Sequence, residues 1–384
     1  MTTTVRSGSP FFAMLTIILL GLNLRPVLAG IGPLLNQIQS ATGMSDAEAG
    51  LLTTLPVFAM GLCALAGGWL QSWLGEHRGI GFGIIGIAVA CLLRAWLNDA
   101  AGLLFTAALA GMGIALIQAL VPSFIRHCFS TQSSRLMGLY TTAIMGGAAM
   151  AAASASPMAA RIGWDGALSS WSVLATVAVI AWLITVSFQP EERRMRKVEA
   201  PLNRSWALMV FFGVGTAAYT LVLAWLPPYY VQLGVSPVRS GLLLGGLTLT
   251  EVMAGLLVSA LINRFPDRRY LLLPVLALLL LGLIGLLLAP QALVIPIMLA
   301  LGLGIGALFP LSLIIALDHV ENAQQAGSLM GFVQGGGYLI ASLMPLLAGF
   351  IRQHTHGLES AWVIMGVGVI GLMLMALRFT PRPA

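Results

Sequence analysis

Residues 11–35 read FFAMLTIILLGLNLRPVLAGIGPLL, and this stretch decides what kind of molecule the chain can be. At about 1.5 Å per residue, a helix of that length crosses the roughly 30 Å hydrocarbon core of a bilayer. Arg25 then falls near the membrane midplane, too deep to snorkel to either surface. Pro26 follows it and has no N–H to offer the carbonyl of Leu22, so the helix opens locally beside a fixed positive charge. Ionisable groups at that depth are costly and mark ligand or ion pathways. We read Arg25 as the group that meets an anion or strong dipole through a water-filled cavity. The alternative is a carboxylate on another helix that pairs with it only to hold the bundle together.

Composition extends this reading to the whole chain. Hydrophobic residues make up 58% of it and charged residues 8%, which excludes both a soluble globular domain and a disordered chain. The expectation is an all-α membrane protein with many crossings. A net charge of +6 would raise the question of nucleic acid in a soluble protein. Here the arginines cluster between apolar runs, so the charge reports topology, and no nucleic-acid partner is expected. Cys63, Cys91 and Cys128 lie in or beside apolar segments without metal-ligand spacing, so neither a disulfide framework nor a metal or cofactor site is expected. Arg6 ahead of the first run suggests a signal peptide, but the run is too long, and we expect it to be retained as a helix.

Hydropathy divides the chain into twelve spans: 11–35, 47–73, 79–97, 102–125, 136–158, 166–188, 206–226, 240–262, 270–289, 293–316, 327–350 and 360–378. An even number puts both termini on one side. Arg6, Arg78, Arg126, Arg135, the Arg193–Lys197 run and Arg264–Arg269 fall on that side, against Arg161, Arg239 and Arg352 on the other. By the positive-inside rule both termini are then cytoplasmic, in the inner membrane of the cell. The longest polar segment, QPEERRMRKVEAPLNR at Gln189–Arg204, divides the spans six and six. The expected domains are 1–188, a cytoplasmic linker at 189–205, and 206–384.

An internal repeat supports that division. At an offset of 191 residues, TGMSDAEAGLL (Thr42–Leu52) lies over LGVSPVRSGLL (Leu233–Leu243), Arg78 over Arg269, Gly111 and Gly113 over Gly302 and Gly304, and Trp171 over Trp362. Two similar six-helix halves with a site at their interface are a transporter architecture. The loops GGWLQSWLGEHRG (from Gly67) and SALINRFPDRR (from Ser259) resemble the loop signature of the major facilitator superfamily, although Ser72 and Trp73 stand where that family usually has Asp and Arg. Within it the chain resembles the cyanate and nitroimidazole transporter branch. The likeness rests on GLNLRP (Gly21–Pro26), GPLL (Gly32–Leu35), LTTLP (Leu52–Pro56), IQALVPS (Ile117–Ser123), AWLPPYY (Ala224–Tyr230) and ALDH (Ala316–His319). It implies transport of a small polar or anionic solute by alternating access, with Arg78, Asp267, Arg268 and Arg269 in the gating loops.

Glu251, in GGLTLTEVMAG, is the second deep charge, and Met60 occupies its equivalent in the other half. A carboxylate withdrawn from water can take up a proton to shed its charge, which suits proton coupling; a static pairing with Arg25 is the competing role. Asn23, Gln118, Tyr219 and Gln334 are further candidates to touch substrate, though each could equally tie two helices together. Thr53 and Thr54 are weaker, because threonine can satisfy itself on its own helix. Arg94, a turn from the end of span three, is expected to snorkel. His127 and His319 are expected to make structural or gating contacts. Gly327, Gly331 and Gly335, and likewise Gly138, Thr142 and Gly146, form small-residue ridges for close helix contact.

The expected function is therefore secondary transport of a small solute by a monomer, either proton-coupled or facilitative. An exporter of drug-like compounds is the alternative in the same fold. A membrane enzyme would need a nucleophile and base or a metal set, which the dispersed histidines do not supply, and no ATP-binding loop is present.

Overall fold

The first span is not one helix. In the computed structural model, which describes residues 10–129, 132–185, 205–319 and 323–379, helix α1 (Pro10–Leu22) stops at the carbonyl that Pro26 cannot serve. Residues 23–25 are unwound. The chain restarts as α2 (Pro26–Ala29), passes a 3-10 turn at Gly32–Leu34, and continues as α3 (Leu35–Thr42). Pro26 is the first helical residue of α2 and Arg25 its N-cap, the position where a missing N–H costs nothing.

The rest of the amino-terminal half comprises α4 (Asp46–Leu65), α5 (Gly67–Leu74), α6 (Glu76–Leu93), α7 (Ala100–Cys128), α8 (Ser133–Ser169) and α9 (Trp171–Thr185). The expected span 47–73 is too long. Ala66 leaves helical geometry ahead of Gly67 and Gly68, and α5 displays Trp69 and Trp73 on its exposed side. Span six begins within α8, because Gly163 (φ 80°) folds that helix in two, a backbone state glycine reaches without steric cost. The second half comprises α10 (Ser205–Gln232), α11 (Pro237–Leu261), α12 (Arg269–Leu288), α13 (Val294–Leu317), α14 (Ala323–Thr355) and α15 (Glu359–Ala376). Eleven apolar stretches among the described residues are long enough to cross a membrane, and one of them, 135–185, is the pair folded at Gly163, which gives twelve crossings. The proposed linker, apart from Ser205, lies outside the described residues, as do Arg6 and the Arg193–Lys197 run.

The repeat is visible in backbone detail. Gly43 (φ 69°) and Gly234 (φ 90°) both turn the chain through the left-handed region, and Ser45 and Ser236 both cap the following helix, accepting from the N–H of Glu48 and Arg239. Gly111 of α7 packs on Pro56 of α4, and Gly302 of α13 packs on Leu247 of α11, the same crossing one repeat later.

Proline-freed carbonyls are covered from neighbouring helices, which is how a bilayer tolerates them. The backbone of Gly147 lies against the Leu22 carbonyl opposite Pro26. Gly32 lies against the Leu223 and Ala224 carbonyls, which Pro227 and Pro228 cannot serve. Helix α10 runs six residues past its expected end at Leu226. Pro345 frees the Ala341 carbonyl, and Thr220 donates to it at 3.0 Å. Thr54 donates to Ser342 O at 2.7 Å across the two halves, so it does not satisfy itself on its own helix as the sequence suggested.

The halves meet chiefly where α4 packs on α14 and α8 on α11. Gly331 and Gly335 approach Ala64 and Leu65 of α4, so this ridge makes the close helix contact expected of it, and makes it with the other half. The ridge on α8 is displaced from its expected position: Gly138 meets nothing, and the close approach falls on Gly147. At the end remote from the Arg78 and Arg268 loops, Arg352 of α14 pairs with Asp46 of α4 at 3.1 Å and lies over the Trp225 ring at 5.4 Å. Gln39 also donates to Asp46 at 2.8 Å.

Candidate functional site

The break in the first span delivers Arg25 to the interface between halves. Its side chain is 5% exposed, its Nε has no hydrogen-bond partner among the described residues, and its guanidinium lies over the ring of Tyr219 on α10 at 5.4 Å. Its charge also acts on Tyr140 of α8, Tyr338 of α14 and Glu251 of α11. Four helices thus converge on one cation.

Glu251 reaches this depth because α13 presents small residues to α11. A Cβ on Gly306 would collide with the backbone of Glu251, and one on Gly302 with Thr250 and the Leu247 carbonyl. Glu251 is 4% exposed, and its Oε2 has no hydrogen-bond partner among the described residues. Arg25 and Glu251 feel each other's charge yet form no close ion pair among the described residues, so the tight static pairing is not the arrangement seen.

Unpartnered polar atoms define the chemistry of this site. The buried hydroxyls of Tyr140 and Tyr219 join Arg25 Nε and Glu251 Oε2 in lacking hydrogen-bond partners among the described residues. A buried polar atom without a partner costs about 1–3 kcal/mol, so these groups would favour a polar solute or water beside them. Phenol O–H groups and a guanidinium all donate, which suits an acceptor-rich anion; Glu251 opposite them suits a proton or a donor group.

The structure does not gather all the other candidates. Asn23 is buried in the unwound turn, but its amide nitrogen donates to Leu19 O at 2.7 Å and Leu174 O at 3.4 Å, tying α1 to α9. Gln118 is half-buried with Oε1 unpartnered, and no hydrogen bond joins it to the Arg25 group. Gln334 is half-buried on α14, one turn from Tyr338 and on the same face. Tyr140 and Tyr338 are absent from the sequence-based candidates. A phenol inside an apolar run, away from the interfacial belt where tyrosine normally sits, was the available signal.

Arg94 contradicts its expectation. It is 1% exposed and turns inward, donating through Nη1 to Val27 O at 3.4 Å and through Nε to Thr106 Oγ1 at 3.3 Å.

At the basic-loop end, Arg268 pairs with Asp318 at 2.9 Å and donates to the Ile262 and Phe265 carbonyls, tying the loop to α13. Arg269 pairs with Asp267 at 2.9 Å, and its hydrogen bonds hold the Asp267 carboxyl below the usual carboxylate range. Arg78 is exposed. In the other half, Glu76 meets His127 at 2.9 Å and accepts from Gln71 at 2.8 Å. His127 thus makes a contact of the structural or gating kind expected of it. His319 is held by the Ile315 carbonyl of its own helix at 2.7 Å.

Comparison with known proteins agrees with this geometry. The family model of the Major Facilitator Superfamily matches residues 11–342 and 233–384. The chain is 39% identical to the cyanate transport protein CynX of Escherichia coli (strain K12) over 96% of its own length and 97% of that protein. It is 29% identical to the 2-nitroimidazole transporter of the same organism, over 93% and 92%. Among solved structures, a D-xylose-proton symporter superposes with a TM-score of 0.78 at 15% identity, covering 97% of this chain and 98% of that one, which establishes the fold.

Proposed function

The chain belongs to the Major Facilitator Superfamily, in its cyanate transporter branch, and on that premise we propose that it carries a small anion, read by Arg25 at the interface between halves. It is a multi-pass membrane protein and a secondary transporter, not an enzyme. The observation that carries the proposal is a buried guanidinium with no close carboxylate among the described residues, beside two phenols, Tyr140 and Tyr219, whose hydroxyls have no hydrogen-bond partner there, and a third, Tyr338, that bonds it. Cyanate, a small monoanion rich in acceptors, matches these donors, and a relative at 39% identity is a cyanate transport protein. Tyr140, Tyr219 and Tyr338 supply its further contacts, and Glu251 takes up the coupling proton. Gln334 lines the approach one turn away. Gln118 is the remaining candidate, and Asn23 holds the unwound turn in place.

The carrier works as a monomer in the inner membrane, with both termini cytoplasmic, a reading supported by the concentration of arginines at one end of the bundle. The Asp46–Arg352 pair supports a state closed at the opposite end, and it must part when the carrier opens there.

Uptake of radiolabelled cyanate into proteoliposomes tests the reading. Wild type should show saturable uptake, and Arg25→Ala, folded to the same melting temperature, should show none. Undiminished uptake by Arg25→Ala contradicts the assignment. A second substrate class has one observation in its favour: the aromatic face beneath the guanidinium also suits a flat nitroheterocycle. Transport of 2-nitroimidazole in preference to cyanate would select it.

A further inference from the structure

The break that presents Arg25 leaves a second backbone problem one turn on. In α2 the Gly30 N–H goes to Pro26 O and the Ile31 N–H to Leu28 O, so the helical ladder passes over the carbonyl of Val27. That carbonyl is buried, and an unpaired one there is costly. Arg94, immediately after α6, supplies the missing donor through Nη1 while its Nε holds Thr106 on α7. Few contacts could fix so short a helix better. Four residues cannot hold themselves in register, and the segment has unwound chain before it and a 3-10 turn after it.

We propose that Arg94 is the positioning residue of the substrate site: it clamps the Val27 carbonyl to α6 and α7 and thereby sets where Arg25, the N-cap of the same short helix, stands. This rests on Arg25 reading the anion, and it adds a residue that touches no substrate. Two features separate Arg94 from an ordinary packing residue. It is fully buried, and among the described residues it has no carboxylate partner and its Nη2 no hydrogen-bond partner. Burial of a cation at that expense is accounted for by a backbone group that needs it. The other half has no such clamp: α10 runs unbroken, and Gly285 occupies the position equivalent to Arg94. The spare Nη2 donor is the natural place for a second carbonyl when the 23–31 segment shifts between states.

The test uses the full chain in proteoliposomes, with Arg94→Met and Arg94→Lys read in two ways. Amide hydrogen exchange over 24–31 reports the clamp without any substrate. Concentration-dependent uptake of radiolabelled cyanate reports its consequence. In Arg94→Met, exchange over 24–31 should quicken at least about tenfold while other helices keep their rates. Half-saturation should rise about tenfold or more with the maximal rate within about twofold, because misplacement of Arg25 weakens binding first. Arg94→Lys, which keeps a donor, should recover most of both. Unchanged exchange over 24–31 in Arg94→Met overturns the proposal, and so does a lysine variant as impaired as the methionine one. If Arg94→Met does not fold, Arg94→Gln takes its place on the same two scales. Failure of wild type to take up cyanate would count against the substrate reading alone, and the exchange measurement would still decide the clamp.

Discussion

The first helix of each half occupies the same place in the repeat, yet one is broken and the other is not. The α1–α3 segment unwinds at 23–25 around Arg25; α10 runs from Ser205 to Gln232 through two consecutive prolines, with Thr216 where the other half has Arg25. Proline alone therefore does not decide where a helix breaks. The carbonyls opposite Pro26 and opposite Pro227 and Pro228 are both covered by a glycine of another segment, Gly147 and Gly32, yet α10 continues while the first span breaks and turns a cation into the bundle. The features shared by the halves are structural: left-handed Gly43 and Gly234, caps Ser45 and Ser236, and packing glycines Gly111 and Gly302. The deep charges are not shared. Arg25, Arg94 and Glu251 face Thr216, Gly285 and Met60 across the repeat, so the recognition proposed for them falls where the duplication has been departed from.

Substitutions at equivalent positions of the two halves can break or sharpen that contrast. The largest effect should come from Arg25→Ala against Thr216→Ala. Loss of a buried charge that meets a charged partner costs about 2–5 kcal/mol, so cyanate uptake below saturation should fall roughly 30-fold or more in the first and stay within about twofold in the second. Next, Glu251→Gln should lose accumulation driven by an imposed pH gradient while keeping downhill flux, and Met60→Leu should keep both; retained pH-driven accumulation in Glu251→Gln would leave the carboxyl a structural group. Two glycines of α8 then give opposite signs. At Gly147 a Cβ would run into the Leu22 carbonyl, and Gly147→Ala should destabilise by about 1–3 kcal/mol in denaturation. At Gly138 nothing stands in the way, and Gly138→Ala should stabilise by a few tenths to about 1 kcal/mol. The smallest effect belongs to the exposed loop. Arg269 depresses the Asp267 carboxyl, so its small stabilisation is present above the ordinary carboxylate range and is lost as pH falls through the depressed value. Asp267→Asn should therefore leave the melting temperature unresolved from wild type in strong acid and at most slightly lower at neutral pH.

Much of this was legible from the residues, because a bilayer forces backbone and side chains into few solutions. Hydropathy gave the crossings, Arg25 before Pro26 gave the break, and the 191-residue offset gave the halves. Contacts between distant spans left no mark on hydropathy. Tyr140 and Tyr338 reach Arg25 from α8 and α14, and no local pattern says that those faces converge. Arg94 was read outward because long basic side chains near span ends usually snorkel. The freed carbonyl that draws it inward belongs to a different helix. Thr54 was misread for the same reason: its acceptor, Ser342 O, lies 288 residues away.

Equilibrium binding of cyanate to the purified protein in nanodiscs, measured by calorimetry on wild type and Arg25→Ala, tests the central assignment most directly. We predict one saturable site in wild type that disappears when the guanidinium is removed and persists in Thr216→Ala. Binding of equal affinity in wild type and Arg25→Ala would show that the anion is read elsewhere.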